Sequence, residues 1–579
     1  MEARLSALTP SATVERKRMS QTAVLAWVLG IILAVLVLPP AIILIMRSVA
    51  VTNADATVGG FTLEHFARFI HSPELLRTLS NSLIFAVCST IIGLLFGGTL
   101  AWLVERTNTR FKGLAYVTTI ISMGTPYILY VSAWLFLLGR SGPFNDLYRQ
   151  LTGSFRPLFD PYSLGGMILI EGFLWSPLVF LLMSSTFRAA NAEMEEAARM
   201  SGATVFRTIW TISIKMAKPA ILALALFVFI RAIEAFEVPI LVGHPGKVNV
   251  LTTEVYQSIK ETIPPDLGYA SAYSVVLLAV VAVLLHFYNR LSRNAGRYST
   301  VTGKGYRPRQ FDLGGYRWIG DLLVLFNFCI VLLLPLMALL WLSLLPYMRA
   351  MSFAAISNFS LANYVTVLTS DYYRTLAANT LAVGAVAATL GMILSFFVGW
   401  LSARRRPGGQ ILDQLATVPL VFPGVVMGVA FLMILLNVPL PIYGTIWALI
   451  IAYVVRYLPY GLRYTYTGVL QIHKELEEAA GASGATPMQA LRRIIAPLLS
   501  PAIISGWLFI FLIATKELAV AVLLAGPSSQ VVAVGMYDLW VNGQGGELAA
   551  FGLIWAAVMA LVASAFYFVA EKSGRGGIQ

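Results

Sequence analysis

Charge is what this sequence has least of. Only 12% of its 579 residues are Asp, Glu, Lys or Arg, against 58% hydrophobic residues, where a soluble domain carries about a quarter charged ones. Together with a mean hydropathy of +0.77, that scarcity excludes an ordinary soluble enzyme. Cysteine is nearly missing: Cys88 and Cys329 both lie inside apolar runs and read as packing residues. The five histidines (His65, His71, His244, His286, His473) have no metal-ligand spacing, so no metal site is expected. No cluster of Ser, His and Asp supports catalysis. No G-x-x-x-x-G-K-[ST] phosphate loop occurs either; the stretch from Gly243 to Lys247 is too short and lacks the following hydroxyl.

What is present is long apolar runs, such as 22–46, 322–345 and 551–570. Each can cross a bilayer, which takes roughly 20 apolar residues. The first is too long for a removable signal peptide and is expected to persist as a span. We expect an all-α membrane protein of twelve spans, near 22–47, 79–104, 114–138, 163–187, 217–242 and 268–290, then 318–345, 377–402, 412–437, 441–466, 499–525 and 548–571. A basic linker, 291–316, joins a first unit (22–290) to a second (317–571), with tails at 1–21 and 572–579. The net charge of +13 comes from basic clusters at alternate span ends, among them Arg16, Lys17 and Arg18, and Arg404, Arg405 and Arg406. Loops of this kind stay cytoplasmic, so the charge reports topology, with both ends and the linker cytoplasmic, and not nucleic-acid binding.

The halves repeat one another. The segment 193–221, EMEEAARMSGATVFRTIWTISIKMAKPAI, recurs at 475–503 as ELEEAAGASGATPMQALRRIIAPLLSPAI, with thirteen of twenty-nine positions identical. Asn81 and Asn379, and Trp102 and Trp400, match at an offset of 298, which falls to 282 by Pro177 and Pro459. The first half therefore carries about sixteen extra residues, placed within 139–162 as an external loop. Six spans per half return the chain to its starting side, which makes the repeats parallel. The repeated polar islands, 191–218 and 473–500, then both face the cytoplasm.

Each island reads as helix, turn, helix. In the second, Glu475, Glu477 and Glu478 suit a helix start and Gly484 suits its left-handed end. Thr486-Pro487-Met488-Gln489 supplies an N-cap, a first-turn proline and a capping-box partner. The first island follows with Gly202 and Thr204. Small Ala197, Ala198, Ala479 and Ala480 permit close approach of another surface, and Glu196 and Glu478 offer charge to it. An amphipathic connector on lipid headgroups is the alternative, but acidic first turns fit poorly beside an anionic leaflet.

Glu-Ala-Ala, three residues, Gly, nine residues, Ile resembles the coupling motif of binding-protein-dependent ABC importer permeases. It stands here as Glu196-Ala197-Ala198, Gly202 and Ile212, and as Glu478-Ala479-Ala480, Gly484 and Ile494. Where the family usually has Leu-Pro, the first copy has Ile214-Lys215 and the second Ala496-Pro497. The resemblance covers nearly the whole chain as two fused type I permease units in a bacterial inner membrane. It implies two copies of a cytosolic ABC ATPase seated on the islands, a periplasmic substrate-binding protein, and alternating access. ATP and Mg would sit on the partner ATPase, with no cofactor and no enzymatic site in this chain. A secondary transporter with two parallel six-span halves is the rival class.

Ionisable residues inside spans are candidates for the substrate pathway: Glu171, Glu234, Glu237, Arg456 and Glu517, with Arg231 and Lys516 as further charges. Arg231 and Glu234 are spaced to neutralise each other; Glu171 and Arg456 lie in equivalent spans and could meet across the seam. Tyr127 and Tyr130, beside Pro126, add oxygen groups near an expected helix break, and Pro423 suggests a matching break in the second half. Segments such as Arg456-Tyr-Leu-Pro-Tyr-Gly and Glu234-Ala-Phe-Glu-Val-Pro look most like the ferric-iron branch of the family. Thiamine, polyamine and aminoethylphosphonate importers have related permeases.

Overall fold

The computed structural model describes residues 21–52, 58–140, 142–154, 156–189, 193–295, 310–347, 353–438 and 441–575. The first twenty residues, with Arg16, Lys17 and Arg18, the linker interior 296–309, the island residues 191–192 and the last four residues lie outside them.

The first half runs α1 (Gln21–Ser48), α2 (Pro73–Arg106), α3 (Lys112–Gly124), α4 (Tyr127–Leu138), α5 (Leu164–Ala189), α6 (Glu193–Met200), α7 (Ile209–Ile233) and α8 (Leu267–Ala295). The second runs α9 (Gly314–Ser343), α10 (Asp371–Ala403), α11 (Gly409–Thr417), α12 (Gly424–Asn437), α13 (Ile446–Gln471), α14 (Glu475–Ala482), α15 (Pro487–Ala514) and α16 (Gly545–Arg575). A two-stranded antiparallel ribbon, Ala50–Thr52 with Val58–Phe61, follows α1.

Among the described residues nine helices are long and apolar enough to cross a membrane, or eleven when each of two sharply bent pairs counts as one. The expected twelve is therefore not reached by length and composition. The shortfall is α13, whose 26 residues include Arg456, Arg463, Tyr453, Tyr457, Tyr460, Tyr464 and Tyr466; these depress its hydropathy while it packs in the core. Two boundaries also move. The span expected at 217–242 is helical over Ile209–Ile233, and the apolar residues after it form a turn and a short helix, Pro239–Gly243, inside the core. The span expected at 499–525 runs Pro487–Ala514. It begins at the island's capping box and stops before the Lys516-Glu517 pair.

The bent pairs are the third crossing of each half. α3 stops at Gly124 and α4 starts at Tyr127; the chain turns by 108° there and by 105° between Val421 and Gly424. Thr125 and Phe422 are extended and each precedes a proline, Pro126 or Pro423. Proline disfavours helix in the residue before it and brings no N–H of its own.

In each half the second and fourth crossings pack closely, α2 on α5 and α10 on α13. Lipid is as apolar as leucine, so such contacts rest on close fit more than on water exclusion. A Cβ on Gly97 would stand 2.4 Å from the Ser176 carbonyl oxygen, and one on Gly399 would stand 2.4 Å from Thr465 Oγ1. The first crossings trade places. α1 packs on α11 and α12 of the second half, burying Leu29 and Leu33 among Trp400, Leu412 and Leu458, while α9 packs on α3 and α4 of the first. The linker's end is also fixed: the Phe311 N–H donates to Arg106 O at 2.7 Å, and its ring lies 6.1 Å from that of Trp102.

Candidate functional site

The two hairpins are built alike. α6 and α14 end at Gly202 and Gly484, with φ of +83° and +85°, a region that penalises any Cβ. Ala203 N–H donates to Ala198 O at 3.0 Å and Ala485 N–H to Ala480 O at 2.9 Å, closing the same cap in both copies. In the second, Gln489 N–H donates to Thr486 Oγ1 and Thr486 N–H to Gln489 Oε1, so the capping box forms. A π-helical turn follows each hairpin, Ile209–Ser213 and Leu491–Ile495, again 282 positions apart. Ala197, Ala479 and Glu478 are exposed, and Ala198, Ala480 and Glu196 half-buried.

What ties each hairpin to the membrane helices is the acid one place earlier. Glu195, 3% exposed, lies 3.5 Å from the guanidinium of Arg106 at the end of α2 and accepts a 2.6 Å hydrogen bond from Ser213 Oγ. Glu477, 282 positions on, meets Arg404 at 2.6 Å and Arg406 at 3.4 Å, and the Trp400 indole N–H at 3.4 Å. Arg106 and Arg404 are themselves 298 apart. Both offsets of the repeat thus converge on one buried ion pair. In sequence Arg404 stands out only as part of a cytoplasmic basic cluster and Glu477 only as a helix-start acid; the pairing of these four residues is signalled by their shared register in both copies.

The intramembrane charges gather where the halves meet. Arg456 reaches Glu517 at 3.1 Å and the Phe422 carbonyl at 3.4 Å. Glu517 also accepts from the Tyr457 hydroxyl at 2.5 Å and Val520 N–H at 3.2 Å, while Tyr453 donates to its backbone oxygen. Arg231 and Glu234 pair at 2.6 Å, the i,i+3 contact their spacing predicts. Glu234 and Glu237 lie close enough to Arg456 and Glu517 to interact electrostatically across the seam.

One expectation fails. Glu171 and Arg456 do not pair: Glu171 accepts from the Trp175 indole at 2.8 Å, one helical turn away, and Arg456 is held by Glu517 of its own half. Closeness in the fold, 61 residues apart in sequence, outweighs the pairing between equivalent spans. Tyr127 and Tyr130 do lie beside the break, both in the first turn of α4. Lys516, earlier only a further charge, crosses the seam to it, donating to Met123 O at 2.9 Å with its ammonium 4.7 Å from the Tyr127 ring centroid. Among the described residues no group of three or more His, Cys, Asp or Glu could hold a metal ion.

Two fused helical repeats, each carrying a broken third crossing and a Glu-Ala-Ala–Gly hairpin, define a transport permease, and sequence comparison gives the family. The profile described as binding-protein-dependent transport system inner membrane component matches residues 89–297 and 387–573, most of the chain. The chain belongs to that family, as a fused double permease. The Ferric transport system permease protein FbpB of Actinobacillus pleuropneumoniae is 25% identical over 505 residues, 86% of this chain and 72% of that protein. A putative ferric transport system permease protein, FbpB 1 of Haemophilus influenzae, is 26% identical over 81% of this chain and 74% of its own length. The spermidine/putrescine permease PotB of Salmonella typhimurium is 24% identical over 47% of this chain and 94% of its own length. A solved bacterial ABC transporter involved in alginate import is similar over 47% of this chain and 95% of its own, at 19% identity and a TM-score of 0.39.

Proposed function

We propose that this chain moves ferric iron inward across a bacterial inner membrane, accepting it from a periplasmic binding protein. Two copies of a separate ATP- and Mg-using cytosolic subunit drive it by pushing on the hairpins. The carrying observation is the pair of matching exposed Glu-Ala-Ala–Gly hairpins, each fixed to a membrane helix by a buried ion pair. A partner that acts as a symmetric pair needs two equal seats, and force applied at a seat is passed on only if the seat is rigidly joined to what must move. Both termini then lie on the cytoplasmic side with the hairpins.

Iron is favoured over polyamine, thiamine or aminoethylphosphonate because the ferric relatives align across both halves of this fused chain, whereas PotB aligns with about half of it. In this reading the binding protein holds the ion tightly and the seam gives only passing contacts. Combining Glu196→Arg with Glu478→Arg is expected to abolish iron uptake and weaken co-purification of the ATPase. Full uptake in that double variant overturns the coupling role; uptake of another substrate but not iron overturns the cargo.

A further inference from the structure

At the break between α3 and α4 lies a cavity of about 60 Å³, lined among others by Ser122, Thr125, Tyr127, Tyr130 and Lys516. That is several times the roughly 10–15 Å³ one water needs. Among the described residues that line it, Lys516 is the one charged side chain; Glu237 and Arg231 act on the site from outside the wall. One wall hydroxyl, Ser122 Oγ, is buried without a hydrogen-bond partner among the described residues, and the Tyr130 hydroxyl, on a side chain 6% exposed, has the Trp134 indole N–H as its one neighbouring donor there. A buried polar group without a partner calls for a ligand or water. The first turn of α4 starts at this cavity. Leu129 and Tyr130 N–H bond back to Pro126 O, and the N–H groups ahead of them have no acceptor within the helix. A helix start carries partial positive charge and favours anions. Ammonium, hydroxyls and helix start all present donors.

The repeat supplies an independent argument. At the matching break of the second half, Glu517 brings a carboxylate to the start of α12, its Oε1 3.1 Å from where a Cβ on Gly424 would stand. Arg456 neutralises it. The residues 282 positions earlier are Ala235 in place of Glu517 and Leu174 in place of Arg456, and Leu174 lines the cavity. Tyr127 stands where the second half has Gly424. One helix start is thus served by a carboxylate at its first residue; the other has a cation brought across the seam, with Glu237 near enough to Lys516, and Glu171 near enough to Tyr127, to interact electrostatically but neither lining the cavity.

We infer that this cavity binds an oxyanionic group of the cargo: a phosphate, phosphonate or carboxylate oxygen set, whether part of an organic molecule or bound to iron. The inference rests on the importer reading for its transport arm alone. Titrating inorganic phosphate into the purified full chain, without ATPase, is expected to show saturable single-site binding. Lys516→Met should weaken it about tenfold or more, the loss of one charge-assisted contact, and Lys516→Arg should restore most of it. Ser122→Ala should weaken it less. Unchanged elution and unchanged ATPase co-purification show that the variants fold. No saturable binding to the wild type, or equal affinity in Lys516→Met, overturns the site. In reconstituted vesicles phosphate should compete with cargo, and Lys516→Met should raise the KM for uptake; phosphate that binds at Lys516 without competing overturns the assignment to cargo. Because the titration needs no transport, its failure is distinct from a failure of the coupling role.

Discussion

At the hairpins the two halves follow one plan, and at the helix breaks they do not. Arg106 with Glu195 and Arg404 with Glu477 occupy the same register, as do the caps at Gly202 and Gly484 and the π turns after them. At the seam, on either side of the hairpins in sequence, the positions of Glu517 and Arg456 in the second half are held by Ala235 and Leu174 in the first. Duplicated units drift apart wherever nothing holds them together. In the proposed function a symmetric partner holds the hairpins and a single cargo passes an asymmetric seam, to which the halves contribute unlike groups. On that proposal the repeated hairpins are where force enters and the diverged seam is where cargo moves.

The seam gives the largest test of that difference. Glu517→Gln leaves Arg456 buried without its counter-charge and is expected to cost about 3 kcal/mol or more, measured by denaturation in detergent. Glu171→Gln should cost less than about 1 kcal/mol, because Glu171 holds only an indole hydrogen bond that an amide oxygen can also accept. Equal losses would mean that the seam is more symmetric than its residues imply.

The latches come next. Glu477→Gln should cost about 3 kcal/mol. Glu195→Gln should fall short of it by about 1 kcal/mol, since Glu477 has two arginines and an indole where Glu195 has Arg106 and Ser213. Exchanging the charges, Arg404→Glu with Glu477→Arg, should recover part of the loss and part of the transport. If either single change leaves both stability and the ATPase's response to substrate intact, the latch passes no force.

The caps should behave alike. Gly202→Ala and Gly484→Ala each meet open space but require a left-handed backbone, at a cost of about 1–2 kcal/mol. A clear inequality between them would break the symmetry of the seats. The smallest effect on stability is expected at Glu237, half-buried at the seam: Glu237→Gln should stay within about 0.5 kcal/mol while changing the KM for uptake. Unchanged uptake kinetics would remove it from the path.

Much of the hairpin was legible because its signals are local. Capping residues, a left-handed glycine and a repeated polar stretch each act within a few residues, and the structure holds Thr486, Gln489 and Gly484 in those roles. The proline breaks at Pro126 and Pro423 were legible for the same reason. Two neighbouring acids proved harder. Glu195 and Glu196 differ by one position and about 100° of helix rotation, so Glu195 is buried against Arg106 while Glu196 stays half-buried; composition does not tell them apart. The partners of Arg456 were hidden because Glu517 is distant in sequence and near only once α13 and α15 are packed. α13 itself escapes a hydropathy count because its polar face is buried against protein instead of lying in lipid.

The most direct measurement is accessibility at the two seats. Cys88 and Cys329 would be replaced by alanine, and a single cysteine placed at Ala197 or Ala479, both exposed at the hairpins. A membrane-impermeant maleimide should label both positions in inverted vesicles and neither in intact cells, with the bound ATPase protecting both. Labelling from the outside at either seat, or reactivity unchanged by the ATPase at both, would contradict the account.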